Sequence, residues 1–223
     1  MSVKRETKNS AEINISRIIE KKRTQLAIKR FFDLSVSLFG IIILSPILIM
    51  ISILIKIDSR GPVFFKQVRV GKDGKHFKIF KFRTMVVDAE RKGMQITVGK
   101  DPRITRIGHI LRKAKLDELP QLFNVFLGEM SFVGPRPEVP RYVEMYNESQ
   151  KNILKVLPGI TDLASIEFRN ENDILAKSSD PEATYINEIM PKKLDLNAEY
   201  IRNLSVIYDI KLILRTILVV LKS

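Results

Sequence analysis

The chain has 223 residues, 45% hydrophobic and 28% charged, so it carries enough apolar material for a core and is not a disordered polymer. With no cysteine and only His76 and His109, it cannot build a disulfide scaffold, thiol catalysis, a thiolate zinc site or a multi-histidine metal site. A formal charge of +13 calls for an anionic partner: nucleic acid, a membrane surface or a phosphorylated substrate.

The charge is local. Residues 1–30 carry nine Lys and Arg against three Glu, and residues 56–83 carry nine against Asp58 and Asp73. Residues 84–223 are nearly balanced, at 20 to 19. Residues 1–28 read as a basic amphipathic helix (Ile13, Ile15, Ile18, Ile19, Leu26) or as a loose tail. Between the two clusters, Leu34–Ile55 runs for 22 residues without a charge, a pattern that ordinarily marks a transmembrane helix. It makes a poor signal peptide, because some 30 residues precede it and no small-residue cleavage site follows.

Ser45-Pro46 sits in the middle of that run, where the missing proline N–H and the clash with the preceding turn predict a break or kink. Each half then covers ~17 Å, short of the ~30 Å of hydrocarbon in a bilayer. Lys and Arg stay on the cytoplasmic side of a membrane, and both flanks are basic. Residues 29–57 are therefore expected to form a re-entrant helix-break-helix, with Ser45 satisfying a carbonyl freed by Pro46. A Pro-kinked span is the competing reading.

Residues 58–200 read as the main domain of the chain. Asp58–Pro62 is a turn cluster, and the β-favouring runs Val63–Val70 and Lys75–Arg83 are joined by Gly71-Lys72-Asp73-Gly74, a hairpin signal. Val86–Arg103 looks irregular. Helices are expected at Ile104–Lys113, Glu118–Leu127 and Val139–Leu154, followed by a turn at Leu157-Pro158-Gly159 and a polar, variable stretch at Asp173–Glu188. Residues 201–223 are apolar but studded with Arg202, Asp209, Lys211, Arg215 and Lys222. That pattern suits an amphipathic helix on a protein or lipid surface.

Three short motifs carry chemistry. In Leu116-Asp117-Glu118-Leu119-Pro120, the proline belongs to a first helical turn, which puts Asp117 near the N-cap. An N-cap Asp that satisfies orphan amides is the plain reading. The chemical reading is an ionised Asp117 acting as a phosphoryl-accepting nucleophile beside a Glu118 that holds Mg²⁺, with Arg112, Lys113 and Lys115 neutralising a diphosphate. In Val133–Glu138, prolines on both sides restrict the backbone around Arg136 and preorganise a guanidinium suited to phosphate. Lys81-Phe82-Arg83-Thr84-Met85 combines two further cations with apolar anchors at a strand end.

Together these residues resemble the monotopic phosphoglycosyl transferases, bacterial sugar transferases that start glycan assembly on polyprenyl phosphate. The likeness is carried in order by Lys29–Asp33, Ser45-Pro46, Arg60–Phe65, Lys81–Met85, Arg112–Gln121, Met130–Glu138, Leu157–Thr161 and Tyr208–Lys211. The resemblance implies a helix-rich α/β fold, monotopic in the membrane, with a re-entrant helix, a β-hairpin and amphipathic interfacial helices. It implies transfer of a phosphosugar from a UDP-sugar to polyprenyl (undecaprenyl) phosphate. Asp117 would form a covalent sugar-phosphoryl aspartate with release of UMP, in the first membrane step of capsule, O-antigen, exopolysaccharide or glycoprotein assembly.

Under the resemblance Glu118 is the Mg²⁺ ligand, Arg112 and Arg136 recognise phosphate with Lys81 and Arg83 alongside, and Asp209 with Lys29-Arg30 ties the C-terminal helix to the membrane segment. The implied setting is the bacterial inner membrane, with the catalytic domain facing the cytoplasm. Membrane lipid is a partner, nucleic acid is not, and a homo-oligomer is compatible. The chain departs from the family pattern at Asp162-Leu163-Ala164-Ser165 and Glu167–Glu171, which leaves the sugar open. Without the N-terminal spans of larger members, it looks like a minimal catalytic form.

The alternative is a non-catalytic, membrane-tethered basic protein that binds anionic lipid or nucleic acid. Its aromatic residues, apart from Phe77, Phe80 and Phe82, are not interleaved with the basic clusters as a base-stacking platform requires. A CDP-alcohol phosphotransferase would need several spans and an Asp-rich helix, and the sequence has neither.

Overall fold

The computed structural model describes residues 15, 17–87, 89 and 101–221; the expectations for residues 1–14 and for most of Val86–Arg103 lie outside them. The fold is helix-rich, with two small two-stranded sheets. The described residues from 17 to 21 are already helical, and after Lys22 one long helix, α1 (Arg23–Asp58), begins before the expected boundary at residue 29. Asp33, Ser37, Leu48, Ile51 and Ile55 are buried along it, with Leu44 partly buried and Gly40 facing Leu122. These positions alternate by three and four, so they form one stripe that docks on the rest of the protein. The opposite face leaves Phe31, Phe39, Ile42, Ile43, Ile49, Met50, Ile53 and Ile57 exposed.

Helical structure continues across Pro46. Proline removes the N–H that Ile42 O would accept, and the Ser45 hydroxyl donates to that same carbonyl at 2.8 Å. Both ends of α1 are held by the same body. At the N-terminal end Arg30 donates to Val125 O (2.7 Å) and Phe126 O (3.1 Å), and Asp33 accepts from Phe132 N (3.1 Å). At the other end Asp58 accepts from Ile107 N at 3.2 Å.

Strands β1 (Phe64–Val70) and β2 (His76–Phe82) pair antiparallel from Phe64↔Phe82 to Val70↔His76. The turn between them places Asp73 and Gly74 at φ 55 and 75, the left-handed region for which Asp and Gly are suited. Phe77 and Ile79 pack on Val125 and Met130. Buried Asn124 locks the hairpin to the next layer, accepting from Phe80 N and donating to Lys78 O, both at 2.9 Å.

Helix α2 (Arg106–Lys113) starts on Thr105, whose hydroxyl accepts from Gly108 N at 3.0 Å. Gly108 lies so close to the β2 exit that an added Cβ would sit 2.1 Å from Thr84 O. Lys115, at φ 56, turns the chain sharply into a 3-10 turn at Leu116–Glu118, and α3 (Gln121–Leu127) follows, ended by Gly128 at φ 87. Asp117 therefore belongs to a separate turn and caps no helix, because Pro120 takes the position before α3.

Strands β3 (Ser131–Val133) and β4 (Gly159–Thr161) form a parallel pair that the sequence reading did not include. The long helix expected at Val139–Leu154 is instead a short α4 (Pro140–Val143) and a 3-10 segment at Gln150–Lys155. Between them Asn147 and Gln150 exchange side-chain and backbone hydrogen bonds, each 2.9 Å, which compete with the helical ladder.

The remaining helices are α5 (Leu163–Glu167), α6 (Glu171–Ala176), α7 (Pro181–Thr184), a π-helical turn at Tyr185–Ile189, α8 (Met190–Asn203) and α9 (Val206–Leu221). The stretch read as variable is thus largely helical, and α8 runs across the expected boundary at residue 200. Leu175, Leu194, Tyr200, Ile201 and Leu212 belong to the main core. Asp209 of α9 pairs with Lys29 of α1 and accepts from Tyr200 Oη at 2.8 Å, so α9 is tied to α1 through buried polar groups. Arg30, expected in the same tie, goes to the end of α3 instead. One face of α9 exposes Ile207, Ile210, Leu214, Ile217 and Leu218.

Gly108→Ala is expected to push α2 off the β2 exit at a cost of about 1–3 kcal/mol, as overpacking in a tight contact does. A lowered unfolding temperature of the detergent-solubilised protein checks this, and an unchanged one would show that the helix can shift freely.

Candidate active site

Three segments far apart in sequence converge on one carboxylate. Glu118 leaves the 3-10 turn, Lys81 comes from β2, and Arg136 comes from the loop between β3 and α4. Lys81 Nζ and Arg136 NH2 both donate to Glu118 Oε1, at 2.7 and 2.6 Å. The Arg136 loop is fixed by glycine packing, since a Cβ on Gly159 would meet Gly134 N at 2.1 Å. Burial would push the Glu118 carboxyl up, but Arg136 and Lys81 outweigh it and hold the group well below the usual carboxylate range. Arg136 is raised in turn, by Glu118 first and against its own burial. Burial lowers Lys81, with Glu118 opposing.

Asp117 is 9% exposed, and its carboxylate takes no hydrogen bond among the described residues. Burial pushes its pKa up, Lys81 opposes this most strongly, Glu118 adds to it, and Arg112 and Lys115 pull it back. It is a carboxylate kept short of ordinary solvation yet surrounded by cations, the condition in which an anionic oxygen is reactive toward an electrophile. Arg112, on the last turn of α2, is held by Nε donating to Thr84 Oγ1 at 2.9 Å.

Asp117, Glu118, Lys81, Arg112 and Arg136 all line one cleft of about 1160 Å³. Arg83 lines it too, but its guanidinium is turned to the end of α1. NH1 donates to Arg60 O (2.8 Å), and NH2 donates to Ser59 O (2.7 Å) and Oγ (2.9 Å). Lys81 and Arg83 line the same cleft, but these three bonds draw the Arg83 guanidinium away from Glu118 and toward the end of α1. Ser45 and Pro46 lie in the middle of α1 and do not line the cleft.

Among the described residues, no group of three or more His, Asp or Glu could hold a metal ion alone. Adjacent Asp117 and Glu118 nevertheless suit Mg²⁺, which commonly takes one or two carboxylates and completes its shell with phosphate oxygens and water. Glu118 would offer Oε2, because Oε1 is occupied by the two cations.

The sequence reading missed the wall beyond Arg136. There Arg69 lies 3.5 Å from Glu138 Oε1, Tyr185 Oη donates to Glu138 Oε2 at 3.2 Å, and Lys193 pairs with Glu171 at 3.0 Å. Glu138 stood in a motif already singled out. Tyr185 and Lys193 had no local signal, since only the packing of the helical region brings them here.

Known proteins match this chain along most of its length. A bacterial sugar transferase family profile covers residues 24–223. The chain is 39% identical over 194 residues, 85% of its length, to the UDP-glucose:undecaprenyl-phosphate glucose-1-phosphate transferase of Escherichia coli (strain K12), of which the match covers 39%. It is 41% identical over 184 residues, 80% of its length, to a putative undecaprenyl-phosphate N-acetylgalactosaminyl 1-phosphate transferase of Bacillus subtilis (strain 168), covering 99% of that protein. It is 40% identical over 202 residues, 86% of its length, to the exopolysaccharide production protein PSS of Rhizobium leguminosarum bv. phaseoli, covering 94% of it. The chain spans about two fifths of the length of the Escherichia coli relative and of a Klebsiella pneumoniae protein with the same name. With the profile covering all but the first 23 residues and the relatives near 40% identity, this chain belongs to the bacterial sugar transferase family.

Proposed function

We propose that this protein transfers a sugar phosphate from a UDP-sugar to undecaprenyl phosphate at a membrane surface, releasing UMP. The observation that carries the reading is the partly desolvated Asp117 beside a Glu118 already neutralised by Lys81 and Arg136. The names of the relatives, which act on undecaprenyl phosphate and UDP-linked sugars, agree with it.

In the first step an Asp117 oxygen attacks the β-phosphorus of the donor. The bond from that phosphorus to the bridging oxygen breaks, UMP departs with the electron pair, and a sugar-phosphoryl aspartate remains. A phosphate oxygen of the lipid then attacks the same phosphorus, the bond to Asp117 breaks, and the carboxylate is regenerated. Arg136, Lys81 and Arg112, which line the cleft with Asp117, would stabilise charge on the phosphoryl oxygens. Glu118, through Oε2, would hold Mg²⁺, whose contribution when bound would be to offset negative charge on the reacting phosphates.

Support for the setting comes from α1. Its apolar face is exposed along the helix while both ends and the opposite stripe are held by the catalytic body. A helix so docked supports monotopic, re-entrant insertion in which both basic flanks stay at the cytoplasmic face of the inner membrane.

Three outcomes test this. Asp117→Asn is expected to lower UMP release from UDP-sugar, undecaprenyl phosphate and Mg²⁺ by at least about 10³-fold, as loss of a nucleophile does. Retained turnover would remove Asp117 from the mechanism. Because the folded-state pKa of Asp117 is raised, the rate should fall on acidification at a pH above that of an ordinary Asp. Lys81→Met should move this limb higher, since Lys81 is the strongest influence holding that pKa down. Single cysteines at Ser10 and Lys72, in a chain that has none, should react with an impermeant thiol reagent from the same side of the membrane. Labelling from opposite sides would mean a span.

A further inference from the structure

The cleft has a direction. Strand β1 turns Phe65, Gln67 and Arg69 toward it, a run of ~13 Å at the usual strand rise. Phe65 pairs in register with Lys81, so it stands at the Glu118 end, close to where α1 gives way to the hairpin. Arg69 stands at the far end beside Glu138 and Tyr185.

The two ends differ in charge. Around Asp117 and Glu118 stand Lys81, Arg112 and Arg136, with Lys113 and Lys115 also on the rim, so the cations are in excess and suit a diphosphate. At the far end Arg69 pairs with Glu138 and Lys193 with Glu171, and Asp162 and Arg169 add one charge of each sign to the lining. That wall carries no surplus charge but many hydrogen-bonding groups, as a neutral polyhydroxylated ligand requires.

Resting on the proposed transferase reading, we infer that the Glu138–Tyr185 pair reads the hydroxyl pattern of the donor sugar and sets which sugar is accepted. Tyr185 is 4% exposed and its hydroxyl donates a hydrogen bond to Glu138 Oε2, which leaves the phenol oxygen as an acceptor. Arg69 orients the other Glu138 oxygen, and both carboxylate oxygens keep lone pairs for a pair of sugar hydroxyls. Arg136 and Glu138 are two residues apart on one proline-restricted loop, so this pair lies next to the phosphate clamp, where the sugar of a bound donor must be. A uracil ring fits the wall less well. Lys193 Nζ lies 5.3 Å from the Tyr185 ring centroid, over one face, and Tyr142 packs on the same ring at 5.0 Å, so little of it remains for stacking.

The test compares wild type, Tyr185→Phe and Glu138→Gln with UDP-glucose, UDP-galactose, UDP-N-acetylglucosamine and UDP-N-acetylgalactosamine, using undecaprenyl phosphate and Mg²⁺ and reading UMP release. Inhibition by UMP, which has no sugar, is measured alongside. Either variant should shrink the kcat/KM ratio between the best donor and its C4 epimer by at least about tenfold, because a site built to hydrogen-bond a hydroxyl discriminates strongly against its misplacement. Inhibition by UMP should change by less than about twofold, since the phosphate clamp is untouched. Equal losses for every donor, or weakened UMP inhibition, would overturn the assignment and make the wall a nucleoside or structural element. No UMP from wild type with any donor would remove the transferase reading beneath it instead. Each variant is near-isosteric and is judged by itself, so loss of fold in one leaves the other to decide.

Discussion

One carboxylate oxygen, Glu118 Oε1, takes hydrogen bonds from both Lys81 and Arg136, and the cleft is organised around that shared acceptor. Two cations brought this close repel each other, and a buried carboxylate without partners is costly, so each of the three groups is tolerable only with the others present. The hairpin, the 3-10 turn and the loop after β3 are thereby fixed against one another. The neighbouring Asp117 gains a cationic surrounding without being paired itself. Burial raises its proton affinity while Lys81 and Arg112 restrain the rise, which leaves a carboxylate in contact with the cleft rather than sealed in an ion pair.

A second constraint is the stripe along α1. Its charged and small polar groups, Asp33 and Ser37, and its apolar ones, Leu48, Ile51 and Ile55, face the body, while bulky aliphatic and aromatic side chains face out. This inverts the usual soluble pattern in which the outer face is polar, and a lipid environment is the solvent that suits it. Arg83 and Asp58 fix the C-terminal end of α1 to the exit of β2 and to the start of α2, the helix that carries Arg112. The apolar helix and the cations of the cleft are thus joined by a few short contacts.

Local signals were strongest where a turn or a breaker dictates the backbone. The hairpin at Gly71–Gly74, the helix ending near Lys113 and the helix ending at Leu127 could be read from the chain because Gly, Asp and periodic apolar residues act within a few positions. Reading failed at Val139–Leu154, where Asn147 and Gln150 redirect backbone bonds, and at β3 and β4, whose three-residue strands have no periodicity to detect. Arg83 lines the cleft, but the direction of its guanidinium was not legible in the sequence, because Ser59 and Arg60, 24 and 23 residues away, hold it.

By itself, the sequence singled out an Asp-Glu pair, a proline-flanked Arg136, the cations Lys81 and Arg112, and an apolar segment between basic collars. Those are properties of residue type and near-neighbour spacing. Only the tertiary structure decided that Lys81 and Arg136 share one oxygen of Glu118, that Asp117 remains apart from that ion cluster, and that Glu138 meets Tyr185 across the far wall. Such contacts join residues 18 to 47 positions apart, and their geometry is set by how helices and strands pack rather than by any local preference of the chain.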